Sequence, residues 1–180
     1  MRRCSSPRTR RSGSDPGIGS RWSPPDTLDT VTSSLTSILV LNGPNLGRLG
    51  SREPDVYGSG TLDDLRAALS AEASGRFTID LRQTNDEAEL IGWLYEAVDT
   101  STPVILNPAA FTHYSYALRD AAALVTKAGI PLVEVHISNP HAREEFRHTS
   151  VISAIATGVI AGFGFDSYLL ALSAILRRQS

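Results

Sequence analysis

Apolar and polar positions alternate regularly from residue 37 to the end of the chain. The apolar runs and one stretch of period two predict five strands, at residues 38–41, 77–81, 103–107, 130–136 and about 157–162. Apolar residues that recur every three or four positions predict four helices, at residues 61–75, 86–99, 114–128 and 166–177. Strands and helices are therefore expected to alternate along the chain.

This alternation sets the expected fold. The run Ile38-Leu39-Val40-Leu41 is apolar on both faces, which indicates a parallel sheet covered by helices on both sides. We expect an α/β fold, a flavodoxin-like doubly wound five-stranded parallel sheet with helices on both faces. The first helix should begin at Thr61, whose side chain can cap the N-terminus together with Asp64.

Residues 1–36 lack this periodicity and carry a different charge. The first 21 positions hold six of the 17 basic residues and a single acid, whereas residues 22–180 carry 11 bases and 18 acids, a net charge of −7. We predict a disordered basic extension at residues 1–36 and one domain at residues 37–180. An organellar transit peptide and a nucleic-acid arm are alternative interpretations of the extension. We favour an extension that the fold does not use, because the segment contains no amphipathic helix.

Composition narrows the class of protein. Hydrophobic residues make up 41% and charged residues 20% of the chain, as in ordinary globular proteins. No apolar run approaches the roughly 18 residues of a membrane span, so we expect no membrane association. The acidic domain gives no electrostatic basis for nucleic-acid binding. The only cysteine, Cys4, excludes a disulfide framework within the chain and fits a cytoplasmic protein.

Polar residues collect where the predicted strands end. Asn45 follows the first strand, Asn107 ends the third, and Glu134 and His136 close the fourth. Ligands of doubly wound sheets bind beyond the carboxyl ends of the strands. An asparagine after a strand is often only a turn residue, but three coincident strand ends favour a site at this edge of the sheet.

The predicted loop before residue 60 contains a candidate base. Arg52 precedes Tyr57 by five residues in a segment punctuated by glycine and proline. A tyrosine hydroxyl ordinarily has a pKa of about 10, and a neighbouring cation can lower that pKa by about one to three units. An exposed tyrosine beside a solvated arginine is the alternative from these residues alone.

The end of the fourth predicted strand contains a candidate acid. Glu134 and His136 are two positions apart on a strand, so both side chains face the same side. A carboxylate beside an imidazole favours the protonated ring and fixes its orientation, which suits a general acid. A structural pair without a chemical role is the alternative.

Other chemistries find little support in the sequence. The four histidines show no ligand spacing for a metal, and the segment 42–50 lacks both common phosphate-binding fingerprints. A Schiff base would require a positioned lysine, and the chain has only Lys127. We therefore expect no metal, nucleotide or other cofactor.

Several long strings in a fixed order resemble type II 3-dehydroquinate dehydratases, across about residues 37–176. They are Leu41-Asn42-Gly43-Pro44-Asn45-Leu46, Arg52-Glu53-Pro54 followed by Tyr57-Gly58, Thr112-His113, Ala117-Leu118-Arg119-Asp120, Glu134-Val135-His136-Ile137-Ser138-Asn139, residues 141–147 and residues 156–160. The resemblance implies a cofactor-free lyase that removes water from 3-dehydroquinate by anti elimination through an enolate. Residues 37–180 would be its catalytic domain, in a pathway that makes aromatic amino acids.

The resemblance also implies roles for individual residues. Tyr57 would be the base, Arg52 would lower its pKa, and Asn45 would hold a water that stabilises the enolate. His136 would be the acid, oriented by Glu134. The implied substrate contacts are Asn107, His113, Ile137, Ser138 and Arg147, together with Asp120, which would reach the site of a neighbouring subunit in a dodecamer of four trimers.

Two points remain open in the sequence. Residues 108–110 read Pro-Ala-Ala where some members of the family have Ala-Gly-Gly, which leaves a backbone contact at Ala109 uncertain. A flavodoxin-like module that binds flavin or another anion without turnover is the competing class of function, and a related dehydratase with a changed substrate is another.

Overall fold

The structure, a computed structural model, describes residues 36–50 and 60–178. These residues form one sheet of five strands, β1 (Thr36–Asn42), β2 (Phe77–Gln83), β3 (Val104–Asn107), β4 (Leu132–His136) and β5 (Gly158–Ala161). All neighbouring strands are parallel, in the order β2-β1-β3-β4-β5. This is the flavodoxin-like doubly wound order, in which the chain changes direction across the sheet between β1 and β3. The predicted fold class is confirmed.

Four α-helices in the described residues cover the two faces of the sheet. They are α1 (Leu62–Ala73), α2 (Glu87–Asp99), α3 (Tyr116–Lys127) and α4 (Asp166–Arg178). Successive residues of β1 point to opposite faces, so Ile38 and Val40 pack with α1 and α4, whereas Leu39 and Leu41 pack with α2 and α3. Both faces of β1 are thus buried, as its continuous apolar sequence predicts.

The helix ends follow local side-chain chemistry. Thr61 and Asp64 form the predicted capping box, in which the Thr61 side chain accepts from the Asp64 N–H and Asp64 accepts from the Thr61 N–H. The predicted start of the third helix at Tyr114 is two residues early. A 3-10 helix, Ala109–His113, occupies the chain before it, and the buried Ser115 caps α3 by accepting from the Leu118 N–H.

The loops that follow β1 and β3 lie in direct backbone contact. Gly43 donates its N–H to the Asn107 carbonyl at 2.8 Å. A Cβ added at Gly43 would lie 2.5 Å from the carbonyl oxygen of Pro108, well inside van der Waals contact. Only glycine therefore permits this approach of the two strand ends, where the polar residues of the predicted site gather.

The sequence also predicts a basic extension at residues 1–36 and no membrane association. The predicted basic extension, apart from Thr36, lies outside the described residues. Among the residues that the structure does describe, no helix is both long and apolar enough to cross a bilayer.

Candidate active site

A pocket opens at the carboxyl ends of β1, β3 and β4. This is the edge at which doubly wound sheets bind their ligands. Seven residues predicted from the sequence line the pocket: Asn45, Asn107, His113, His136, Ile137, Ser138 and Arg147. The other lining residues are Pro44, Leu46, Leu49, Ala109, Ala110, Pro140 and Arg143. The pocket thus combines apolar lining residues with a few convergent polar groups, as small-molecule sites commonly do.

Glu134 and His136 lie on the same side of β4, as their spacing predicts. Nε2 of His136 lies 2.9 Å from Oε1 of Glu134. The carboxylate is completely buried, whereas the imidazole is 12% exposed at the pocket. Because Nε2 engages Glu134, Nδ1 is the ring nitrogen left for a ligand.

Three hydroxyl groups surround the Glu134 carboxylate. Thr112 donates to it at 2.5 Å, Ser150 donates at 3.1 Å, and Ser153 also donates to it. Burial alone raises the pKa of the Glu134 carboxyl, but the hydrogen bonds and charge of His136, with Ser153 and Thr112, outweigh it and bring this pKa below its ordinary value. The site therefore holds a buried anion directly behind the imidazole.

The floor of the pocket contains a chain of buried amides. Asn107 is 3% exposed and donates through Nδ2 to the hydroxyl of Tyr168 at 2.7 Å. Tyr168 in turn donates to Oδ1 of Asn42 at 2.6 Å. Asn42 and Tyr168 are absent from the sequence-based site. The signal for Asn42 is a polar residue that ends a buried strand, whereas Tyr168 gives no local signal, because it lies on a helix 126 positions later.

Asn45 is held at the pocket by its backbone. It is exposed and adopts a left-handed conformation, with φ of 67°, which asparagine tolerates better than most residues. Its N–H donates to the side chain of Asn85 at 2.8 Å. Its own side chain lines the pocket and is available to a ligand or a bound water.

The cationic side of the pocket comes from the segment after β4. Arg147 donates to Glu144 at 2.7 Å and packs on the Phe146 ring, 4.7 Å from the ring centroid. The hydrogen bond from Arg147 is the main cause that brings the pKa of the Glu144 carboxyl to about 2. Arg143 also lines the pocket and lies 3.4 Å from the Ser138 hydroxyl. Arg143 was not predicted, although it stands in the same string as Arg147.

His113 and Ala109 complete the pocket wall. Nδ1 of His113 lies 2.8 Å from the Thr149 carbonyl. A carbonyl only accepts, so Nδ1 carries the proton and Nε2 remains available. Ala109 has φ of +50°, a left-handed conformation that costs a residue with a Cβ about 1–2 kcal/mol. This explains physically why glycine suits this part of the segment.

Comparisons with known proteins identify the family. The model of the family Dehydroquinase class II matches residues 36–176. The 3-dehydroquinate dehydratase of Salinispora tropica is 56% identical over 144 residues, which are 78% of this chain and 97% of that protein. The enzyme of the same name from Bacillus licheniformis is 57% identical over 137 residues, 76% of this chain and 92% of that one. The chain belongs to the class II dehydroquinase family.

Solved structures of the class II dehydroquinase family have the same fold. The type II dehydroquinase of Propionibacterium acnes superimposes with a TM-score of 0.75 and 51% identity, over 79% of this chain and 97% of that one. The fold predicted from hydrophobic patterning is therefore that of the family. The fingerprint strings in the sequence indicate the same membership.

Of the remaining predicted site residues, two lie outside the described residues and one lies away from the pocket. Arg52 and Tyr57, which the resemblance to class II dehydroquinases marks as the base and its activator, lie outside the described residues. Asp120 is on α3, its side chain is 76% exposed, and it accepts a hydrogen bond from Arg119 at 2.9 Å. Asp120 lines a separate groove with Tyr95 and Leu124 and does not reach this pocket within the chain.

The described residues do not form a cluster of metal ligands. In residues 36–50 and 60–178, no three histidine, cysteine or acidic side chains are close enough to hold an ion together. His141 and His148 do approach each other, with ring centroids 5.5 Å apart, but His148 also lies 3.2 Å from the Arg143 carbonyl. This arrangement is that of a hydrogen-bonded surface turn.

Proposed function

We propose that this chain acts as a 3-dehydroquinate dehydratase, a hydro-lyase that converts 3-dehydroquinate to 3-dehydroshikimate. Membership of the class II dehydroquinase family supports this activity. At the site, the observation that carries it is the buried Glu134 carboxylate hydrogen-bonded to an imidazole that opens onto the pocket. This pair is suited to deliver a proton to a leaving hydroxyl group. The reaction is the dehydration step of the shikimate pathway.

The first step is removal of a proton from the carbon beside the ketone. Tyr57, as phenolate, takes this proton, and the electron pair of the C–H bond forms an enolate. Arg52 lowers the pKa of Tyr57 by placing a cation beside the developing phenolate. The segment that carries both residues follows Asn45, whose side chain holds a water against the enolate oxygen. These roles rest on the resemblance to the family.

The second step is departure of the hydroxyl group. His136 donates a proton to the leaving oxygen as the enolate collapses, and water leaves on the side opposite to the proton removed first. The anionic Glu134 stabilises the protonated ring before the transfer, and the hydroxyls around Glu134 hold that anion in place. A positioned general acid of this kind typically contributes about 10²- to 10⁴-fold.

The remaining pocket residues hold the substrate. Arg147 meets the substrate carboxylate, because a guanidinium can donate two parallel hydrogen bonds to it. Asn107, His113, Ile137 and Ser138 contact the rest of the ring. None of these steps uses a metal or another cofactor.

The assembly is part of the same proposal. We propose a cytoplasmic homo-oligomer, a dodecamer of four trimers, in which Asp120 of one subunit enters the neighbour's site. Its exposure and its distance from the pocket of its own chain support this role. In a closed symmetric trimer each subunit both gives and receives such a residue.

The decisive test is turnover of 3-dehydroquinate, measured as the rise in absorbance of the conjugated enone in the product. Tyr57→Phe and His136→Ala should each lower kcat by at least about 10²-fold. Thr78→Val, which removes an exposed hydroxyl from β2 at nearly constant volume, is the control and should keep its rate. Absence of turnover in the wild-type protein, or bound flavin in place of turnover, would contradict the proposal.

A further inference from the structure

One fully buried tyrosine lies directly beneath the pocket. Tyr168 is on α4, and its hydroxyl is within hydrogen-bond distance of two side-chain amides at the ends of adjacent strands. Asn42 ends β1 at 2.6 Å from this hydroxyl, and Asn107 ends β3 at 2.7 Å. A helix thus contributes a polar atom between the two central strands of the sheet.

The hydrogen bonds Asn107–Tyr168–Asn42 form a series, and the direction of each follows from the other partners of the two amides. Nδ2 of Asn42 donates to the Arg82 carbonyl at 3.1 Å and lies 3.4 Å from the Val40 carbonyl. Because carbonyls only accept, Oδ1 of Asn42 must face Tyr168 and accept its proton. Burial raises the pKa of the Tyr168 hydroxyl, which therefore stays protonated as the donor to Asn42.

The same logic fixes the amide of Asn107. The single proton of Tyr168 is used by Asn42, so the phenolic oxygen can only accept, and it accepts from Nδ2 of Asn107. Oδ1 of Asn107 accepts from the Ala109 N–H at 3.2 Å. The amide is therefore held at both ends. One N–H and one lone pair of Asn107 remain for a ligand in the pocket that this residue lines.

We infer that Tyr168 is a positioning residue for substrate binding, which acts by fixing the orientation of the Asn107 amide. This inference rests on the proposed function, since the ligand is taken to be 3-dehydroquinate. Tyr168 itself does not line the pocket, and its effect passes through Asn107. A pocket that binds a substrate hydroxyl specifically needs a hydrogen-bond donor and an acceptor at fixed positions. A flip of the Asn107 amide would exchange these two positions.

The test begins with Tyr168→Phe, which keeps the ring and removes only the hydroxyl. The Asn107 amide loses its restraint, so KM for 3-dehydroquinate should rise about 5- to 50-fold while kcat changes less than about 3-fold. The melting temperature should also fall, because two buried amide groups lose a partner. Thr78→Val, which removes an exposed hydroxyl from β2, should leave KM and the melting temperature unchanged.

A double-mutant cycle separates positioning from mere stability. In an Asn107→Ala background, Tyr168→Phe should no longer raise KM. The part of its effect on the melting temperature that comes from Asn42 should persist. If Tyr168→Phe does not fold, Asn42→Ser removes the amide that orients the hydroxyl and leaves Tyr168 and Asn107 in place. It should also raise KM with kcat retained.

Two outcomes would overturn the inference alone. The first is a folded Tyr168→Phe or Asn42→Ser variant whose kcat and KM equal those of the wild-type protein. The second is a rise in KM caused by Tyr168→Phe that is equally large with Asn107 present and in the Asn107→Ala background. Lack of turnover by the wild-type protein would instead overturn the proposed function, and this inference with it.

Discussion

At the residue scale, the buried Glu134 carboxylate links the chemistry of the site to the stability of the fold. Its pKa lies below the ordinary value in the folded state, so folding favours the deprotonated form. Stability from this group is therefore fully present above the unfolded pKa of about 4.3, and is lost as pH falls through the lower folded value.

We therefore expect a pH-dependent difference between the wild-type protein and Glu134→Gln. The variant should have a free energy of unfolding lower by about 1–3 kcal/mol at pH 7, because hydrogen bonds to a charged group are lost. This difference should stay constant above about pH 5 and shrink below about pH 4. Urea unfolding from pH 7 to pH 3 measures it. Glu72→Gln, at an exposed helix position, is the control, and a difference independent of pH would contradict the argument.

Ala109 gives a second prediction at this scale. Its φ of +50° is unfavourable for a residue with a Cβ, so Ala109→Gly should raise the free energy of unfolding by up to about 1 kcal/mol. Ala110→Gly, in the same 3-10 helix but without a positive φ, should lower it by about 0.5–1 kcal/mol. Equal effects of the two substitutions, measured by chemical denaturation, would show that the conformation at residue 109 has no special cost.

At the scale of elements, the contact between the ends of β1 and β3 predicts that the stability of the fold is unusually sensitive to added side-chain volume at Gly43. Gly43→Ala would place a methyl group against the Pro108 backbone and should lower the free energy of unfolding by about 1–3 kcal/mol. Activity should fall with it, because Asn107 adjoins Pro108. Gly158→Ala, in β5 where an added Cβ meets nothing within 4 Å, should change stability by less than about 1 kcal/mol. Similar losses in both variants would refute the close approach.

Elements were predictable from the sequence where the signal is local. Thr61 and Asp64 are three residues apart, and their capping box forms as predicted. The predicted start of α3 was wrong. Phe111, in the 3-10 helix, and Tyr114, just after it, share an edge-to-face contact. Helical periodicity does not distinguish this turn from the first turn of α3. Glu134 and His136 could be paired because strand geometry alone places them together.

The surroundings of these residues could not be predicted in the same way. Thr112 reaches Glu134 from the 3-10 helix before α3, and Ser150 and Ser153 reach it from the segment before β5. Tyr168 reaches Asn42 from the last helix. Serine, threonine and tyrosine at such positions look like ordinary cap or surface residues in a sequence. Their function depends on which loops meet, which hydrophobic patterning does not specify.

At the scale of the whole molecule, Asp120 makes a prediction about assembly. Asp120→Ala should weaken both turnover and subunit association, by about 1–3 kcal/mol if its partners in the neighbour are left buried and unpaired. Light scattering and activity over a dilution series test this. Asp63→Ala is a matched control, since Asp63 is also exposed and also paired with an arginine, Arg66. Full activity of the wild-type protein as a monomer at low concentration, or unchanged turnover and association in Asp120→Ala, would refute the interfacial role.

The glycine at residue 43 also limits how such a site can be altered by engineering. The loop after β1 and the loop after β3 share one backbone contact, so an insertion or a grafted sequence in one loop displaces the other. A library that randomises either loop alone would return mostly inactive proteins. Changes of specificity are therefore more accessible from single substitutions at Arg143, which lines the pocket and lies outside the contact between the two strand ends.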